Sequence, residues 1–146
     1  MSVEENKAVM QRICEEVIQG GKIGKLDELV ASDYTFHGPG GQEIKGVEGL
    51  KRLMAWLHAS FPDIHFTVDD VIAEGEKVVT FYTMKGTHKS NKPVNFQGIM
   101  ISRFANGREI ECWEIYDRFT IASQLAPGWA NVLLRLIENQ MIKDRP

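Results

Sequence analysis

The sequence predicts an α+β domain: a curved antiparallel sheet wrapped around N-terminal helices, with one extra helix at the C-terminus. Two observations carry this. Apolar residues recur at helical spacing up to about residue 60. From residue 64 the chain turns to Val, Ile, Thr, Tyr and Phe in paired runs joined by tight turns. Helices first and a meander afterwards is the pattern of helices packed on one face of a sheet.

From Val3 to Gln19, Met10, Ile13, Cys14, Val17 and Ile18 line one helical face, and Gly20-Gly21 stops the helix. A short second helix places Ile23, Leu26, Leu29 and Val30 on one side. "DYTFHG" reads as a short strand and "GPGGQEIKG" as a loop by its glycine and proline content. Val47, Leu50, Leu53, Met54 and Leu57 mark a third helix that ends near Ser60, before Pro62. Residues 64–73 and 76–88 form a strand pair around Glu74-Gly75, and residues 94–104 and 109–118 a second pair around Asn106-Gly107. Asn-Gly between apolar runs is the strongest short hairpin signal. After Pro127, Trp129, Val132, Leu133, Leu136, Ile137 and Gln140 form a last helical stripe.

The 146 residues suit a single domain. The net charge of −3 gives no electrostatic reason to expect nucleic acid or an anionic membrane as partner. No apolar run approaches the roughly 20 residues of a membrane-spanning helix. "MSVEENKAVM" has no apolar stretch of a signal peptide. Cys14 and Cys112 are too few for a disulfide framework, and a reducing cytoplasm is the simplest setting.

The second hairpin carries the chemistry. With Asn106 and Gly107 as the turn, Ala105 faces Arg108. Regular pairing then sets Phe96 opposite Asp117, Gly98 opposite Ile115 and Met100 opposite Trp113. Asp117 would share a face with Phe96, Met100, Trp113 and Ile115, and Gly98 would open a space among them. The expected result is a pocket with an apolar floor and a carboxylate at one end; the bland reading makes Asp117 a solvated strand end. The other face would carry Ile99, Ile101, Ile110, Cys112 and Tyr116 and suits a homodimer through the sheet. A register slip of one residue would exchange the two faces.

"GIMISRFANGREIECWEIYD" joins a strand glycine, an Asn-Gly hairpin and E-x-W-x-x-x-D. In this it resembles the SnoaL-like polyketide cyclases and ester cyclases of the nuclear transport factor 2-like superfamily. "GKIGKLDELVASDYTFHGP" and "KGVEGLKRLMAWLHASFPDIHF" agree in order, so the resemblance implies a domain core at about 5–126 with a helical extension at 127–146. The resemblance implies a cone-shaped α+β barrel around an apolar cavity, and a cavity aspartate acting as acid/base in an intramolecular aldol closure. By motif position that residue is Asp117. His37 and His88 match positions that are often histidine in the family. His37 is then a polar partner of Asp117 and His88 a substrate contact, unless each is simply bonded to its own loop.

The resemblance asks for no cofactor. Four histidines without H-x-H or H-x-x-x-H spacing give no metal signal, and "GPGG" lacks the elements of a phosphate or dinucleotide loop. Three readings follow. The first is a cyclase, or related lyase or isomerase, acting on a largely apolar carbonyl compound. Its residues would be Asp117 and His37 as acid/base groups, with Phe96, Gly98, Met100, Trp113, Ile115 and His88 around the substrate. The second is a non-catalytic protein that holds a small hydrophobic molecule in the same cavity. The third is an isomerase or dehydratase of the ketosteroid isomerase kind.

Overall fold

The computed structural model describes residues 2–143. Helix α1 (Val3–Arg12) starts at a capping box: the Glu5 amide donates to the Ser2 hydroxyl and the Ser2 amide to the Glu5 carboxylate. It continues as a π-helical stretch, Ile13–Gln19, which buries Ile13, Cys14, Val17 and Ile18. Helix α2 (Leu26–Leu29) is a single turn that buries Leu26 and Leu29. Strand β1 (Val30–His37) is followed by β2 (Glu43–Lys45) and α3 (Val47–Ser60). The meander comprises β3 (His65–Glu74), β4 (Lys77–Thr87), β5 (Pro93–Ala105) and β6 (Arg108–Tyr116). Helices α4 (Arg118–Leu125) and α5 (Gly128–Lys143) close the chain.

The six strands form one sheet in the order β2-β1-β6-β5-β4-β3. Neighbours are antiparallel except β1 and β6, which run parallel. The α+β cone expected from the sequence is present. Met10, Cys14, Val17, Leu26 and Leu29 from the helical side pack with Val78, Met84, Val94, Met100 and Phe104 from the sheet, all buried. Each such side chain contributes about 1.5–3 kcal/mol through its removal from water.

Three local expectations are corrected. The loop read after β1 contains β2, which pairs with β1 through Phe36 and Ile44. Three residues between glycines carry too little periodicity to be recognised as a strand. The last strand, expected to run to residue 118, stops at Tyr116, and Asp117 caps α4.

The third correction decides the site. Asn106 and Gly107 both adopt positive φ (49° and 78°), so the turn is the predicted one. Ala105 pairs with Arg108 and Phe104 with Glu109, as expected. The register then shifts, and Arg103 pairs with Glu111, leaving Ile110 as the extra residue of a β-bulge. Beyond it Ser102 faces Cys112, Met100 faces Glu114 and Gly98 faces Tyr116. The slip exchanges the two faces of β6. Cys112, Glu114 and Tyr116 point into the cone, and Trp113 and Ile115 point outward.

Helix α5 packs against α4 and leaves Trp129, Val132, Leu133, Leu136 and Ile137 exposed along its predicted apolar stripe. Among the described residues, no helix is long and apolar enough to cross a membrane.

Candidate functional site

Between α1, its π-helical continuation, α3 and the concave face of the sheet lies a cavity of about 390 Å³. That is a usual size for a small-molecule site. Its walls are mostly apolar: Met10, Ile13 and Val17 on one side, Leu53, Met54 and Leu57 of α3 on another, and Phe66, Met84, Phe96 and Met100 of the sheet opposite. The polar groups along the sheet wall are Tyr34, Tyr82, Tyr116, Glu109 and Glu114.

Glu114 stands in the middle of the wall, between the strand positions of Cys112 and Tyr116 and across from buried Met100. Burial raises its carboxyl above the ordinary carboxylate range, although a hydrogen bond from the Tyr82 hydroxyl acts in the opposite direction. The side chain keeps partial exposure because it borders the open space of the cavity. Tyr82 reaches it from β4 by lying over Gly98. A Cβ on Gly98 would run into the Tyr82 ring, whose Cε1 lies 2.8 Å from that point. The strand glycine singled out in the sequence thus admits a tyrosine, not a ligand. Phe66 stacks on Tyr82 at 4.7 Å between ring centroids, with Phe96 edge-on at 6.3 Å, so the tyrosine is clamped.

Glu109 lies deeper. It is 2% exposed, and Oε1 has no hydrogen-bond partner. Burial pushes its carboxyl up to about 7, against the opposing pull of Ser102 and Cys112. Burial likewise raises the Tyr34 phenol well above its usual value, with the Glu109 charge adding to the effect.

The sequence-predicted residues divide. Phe96 and Met100 line the cavity, Gly98 holds the wall open for Tyr82, and His88 lies on the lining near Phe61. The His88 ring bonds the Ser90 hydroxyl at 2.8 Å. Trp113, Ile115, His37 and Asp117 are not on the lining. Ile115 is 66% exposed on the outer face. The His37 ring stacks on Trp113 at 5.1 Å and bonds Glu111 Oε1 at 2.8 Å. Glu111 in turn accepts from Arg103 at 2.6 Å, so the pair expected between His37 and Asp117 is replaced by an outer network.

Asp117 is exposed and accepts hydrogen bonds from the Phe119 amide and the Thr120 hydroxyl at 2.9 and 2.7 Å. These bonds, the Thr120 hydroxyl's first, hold its carboxyl below the ordinary value. It borders a polar groove with Thr83, Lys85 and Gln97, outside the cavity. Of the three buried or half-buried acids on β6, the sequence reading nominated none. A glutamate between Trp113 and Ile115 looks like the solvent side of a strand, and only the bulge at Ile110 turns it inward.

The pattern of the SnoaL-like polyketide cyclases matches residues 8–125. No curated protein matches the chain. Among solved structures, a candidate polyketide cyclase from Acidithiobacillus ferrooxidans is 30% identical, with a TM-score of 0.74 over 86% of this chain and 97% of that one. IdmH, a candidate polyketide cyclase from Streptomyces antibioticus, is 28% identical, with a TM-score of 0.73 over 82% and 97%. A protein from Catenulispora acidiphila with a ketosteroid isomerase-like fold is 18% identical at a TM-score of 0.71, a likeness of fold alone. With more than two thirds of its length matched and the cone fold in place, the chain belongs to the SnoaL-like polyketide cyclase family.

Proposed function

We propose that the cone cavity is the active site of a cofactor-independent acid/base enzyme, a cyclase or related isomerase, with Glu114 as its acid/base. The observation that carries this reading is a carboxyl on an apolar cavity wall, raised by burial and positioned by the Tyr82 hydroxyl. In the ionised form Glu114 takes the proton α to a substrate carbonyl. The C–H electron pair moves into the enolate, the enolate carbon attacks a second carbonyl of the same molecule, and the new alkoxide recovers the proton from Glu114. Atoms and charge balance without a cofactor. Apolar walls exclude water, which keeps the enolate from premature protonation.

The role expected for Asp117 passes to Glu114. Glu114 lines the cavity with a carboxyl made more basic by burial, whereas Asp117 holds a helix terminus in solvent. The test is turnover of β-dicarbonyl and polyketide-ester substrates by wild type, Glu114→Gln and Asp117→Asn. Loss in the first variant and retention in the second supports the reading; the reverse contradicts it.

The second reading, a protein that only holds a small hydrophobic molecule, is favoured by the apolar lining. It predicts binding without turnover in the same assay. The partner surface is the outer sheet face, where Ile72, Ile99 and Ile115 are 64%, 40% and 66% exposed. Stacked face to face, two such sheets make a homodimer, with Trp113 and Ile115 replacing Cys112 and Tyr116 in the contact first expected. A monomer by light scattering at micromolar concentration would remove it.

A further inference from the structure

The polar groups along the sheet wall of the cavity are all acids. Glu109, Glu114 and Tyr116 come from β6, Tyr34 from β1 and Tyr82 from β4. Two cationic or potentially cationic groups reach the lining, Arg118, whose charge acts on Tyr116, and His88. Arg118 is exposed at the start of α4, with its guanidinium against Gly40, and the His88 ring is tied to Ser90. Among the described residues Glu114 receives one hydrogen bond, from Tyr82, and its other carboxyl oxygen receives none. Beside it, Phe66, Tyr82, Phe96 and Tyr116 form a continuous run of rings with centroids 4.7, 6.3 and 5.2 Å apart.

We propose that the ligand of this cavity carries a basic nitrogen on an apolar skeleton, with its ammonium seated between Glu114 and the Tyr82–Phe96–Tyr116 rings. The inference rests on the reading of the cavity as the small-molecule site and narrows its substrate class. Three physical arguments favour a cation. An anionic ligand seated at Glu114 would bring a further negative charge beside two acids raised by burial, Glu109 and Glu114, which the exposed Arg118 offsets less than a buried cation would. A carbonyl compound without a cationic donor leaves the free Glu114 oxygen without a hydrogen bond when that carboxyl is ionised, so a carbonyl substrate that also carries a basic nitrogen is held more tightly. An ammonium uses the free oxygen through a charge-assisted hydrogen bond and the ring faces through cation–π attraction. Burial disfavours the ionised carboxyl, and an ammonium seated against it offsets that effect.

Four probes that share a phenethyl group test this by calorimetry and thermal shift at pH 7.5. They are N,N-dimethylphenethylamine, its hydrocarbon isostere isopentylbenzene, the ketone benzylacetone and the anion 3-phenylpropanoate. The amine is expected to bind at least about tenfold tighter than the hydrocarbon and the ketone, with no detectable binding of the anion. In Glu114→Gln the amine should lose its advantage while the hydrocarbon binds as before, which also shows that the variant is folded. A ketone or anion that binds as tightly as the amine overturns this inference and leaves the cavity reading standing, as does an amine advantage that survives in Glu114→Gln. Failure of all four probes to bind overturns both.

Discussion

Glu111 and Glu114 are three residues apart on one strand and occupy opposite media. Glu111, on the outer face, accepts from Arg103 and bonds His37, and these contacts hold its carboxyl below the ordinary range. Glu114, on the inner face, has a tyrosine hydroxyl and apolar neighbours, and burial raises it. The same side chain is an ion-pair partner in one place and a raised carboxyl on a cavity wall in the other. What separates them is the side of a pleated sheet, and here a single bulge assigns the sides.

The largest expected effect breaks this comparison directly. Glu114→Gln should lower kcat/KM by about 10²–10⁴-fold, the usual contribution of a positioned general acid/base, whereas Glu111→Gln should leave it within about threefold. The wild-type pH profile should rise with a midpoint above the ordinary carboxylate range, because the base must be ionised and burial opposes ionisation.

Next in size is the stability carried by Glu109. Burial pushes its carboxyl from the ordinary value of 4.5, which the unfolded chain restores, up to about 7 in the folded protein. Between these values the native state binds the proton more tightly, so stability is highest below 4.5, falls as pH rises towards 7, and then levels. The difference amounts to roughly 3 kcal/mol. Urea unfolding of wild type and Glu109→Gln from pH 4 to pH 8 should show the variant gaining relative to wild type across that window.

Gly98→Ala sharpens the comparison from the other strand. The new Cβ displaces the Tyr82 ring, with an expected cost of about 1–3 kcal/mol in thermal or urea unfolding. Kinetically it should weaken the same step as Tyr82→Phe, since both remove the hydroxyl from Glu114. The smallest effect belongs to Asp117→Ala. Loss of the α4 cap costs about 1 kcal/mol by urea titration and leaves kcat/KM unchanged.

Much of the fold was legible in the chain because its signals are local. Helical spacing from Met10 to Ile18, the Asn106-Gly107 turn and the ordered family motifs each act over a few residues. The site was only half legible. Phe96, Gly98 and Met100 were placed correctly on the inner face, since β5 is regular on that side. Trp113, Ile115 and Asp117 were not, because both faces of this hairpin are rich in apolar residues. Ile99 and Ile101 lie outward as readily as Met100 lies inward, so alternation alone does not reveal a residue inserted at Ile110. The end of β6 did carry a readable signal. An aspartate followed by "RFTIASQL" is a helix start, and taking Asp117 as a cap would have removed it from the cavity.

The central claim is that the functional carboxyl of this cone is Glu114 and not Asp117. A carbon-13 NMR titration of the side-chain carboxyls, assigned with Glu114→Gln and Asp117→Asn, reads it most directly. The structure predicts a Glu114 midpoint above the ordinary glutamate value and an Asp117 midpoint below the ordinary aspartate value. A normal or lowered Glu114 together with a raised Asp117 would contradict it.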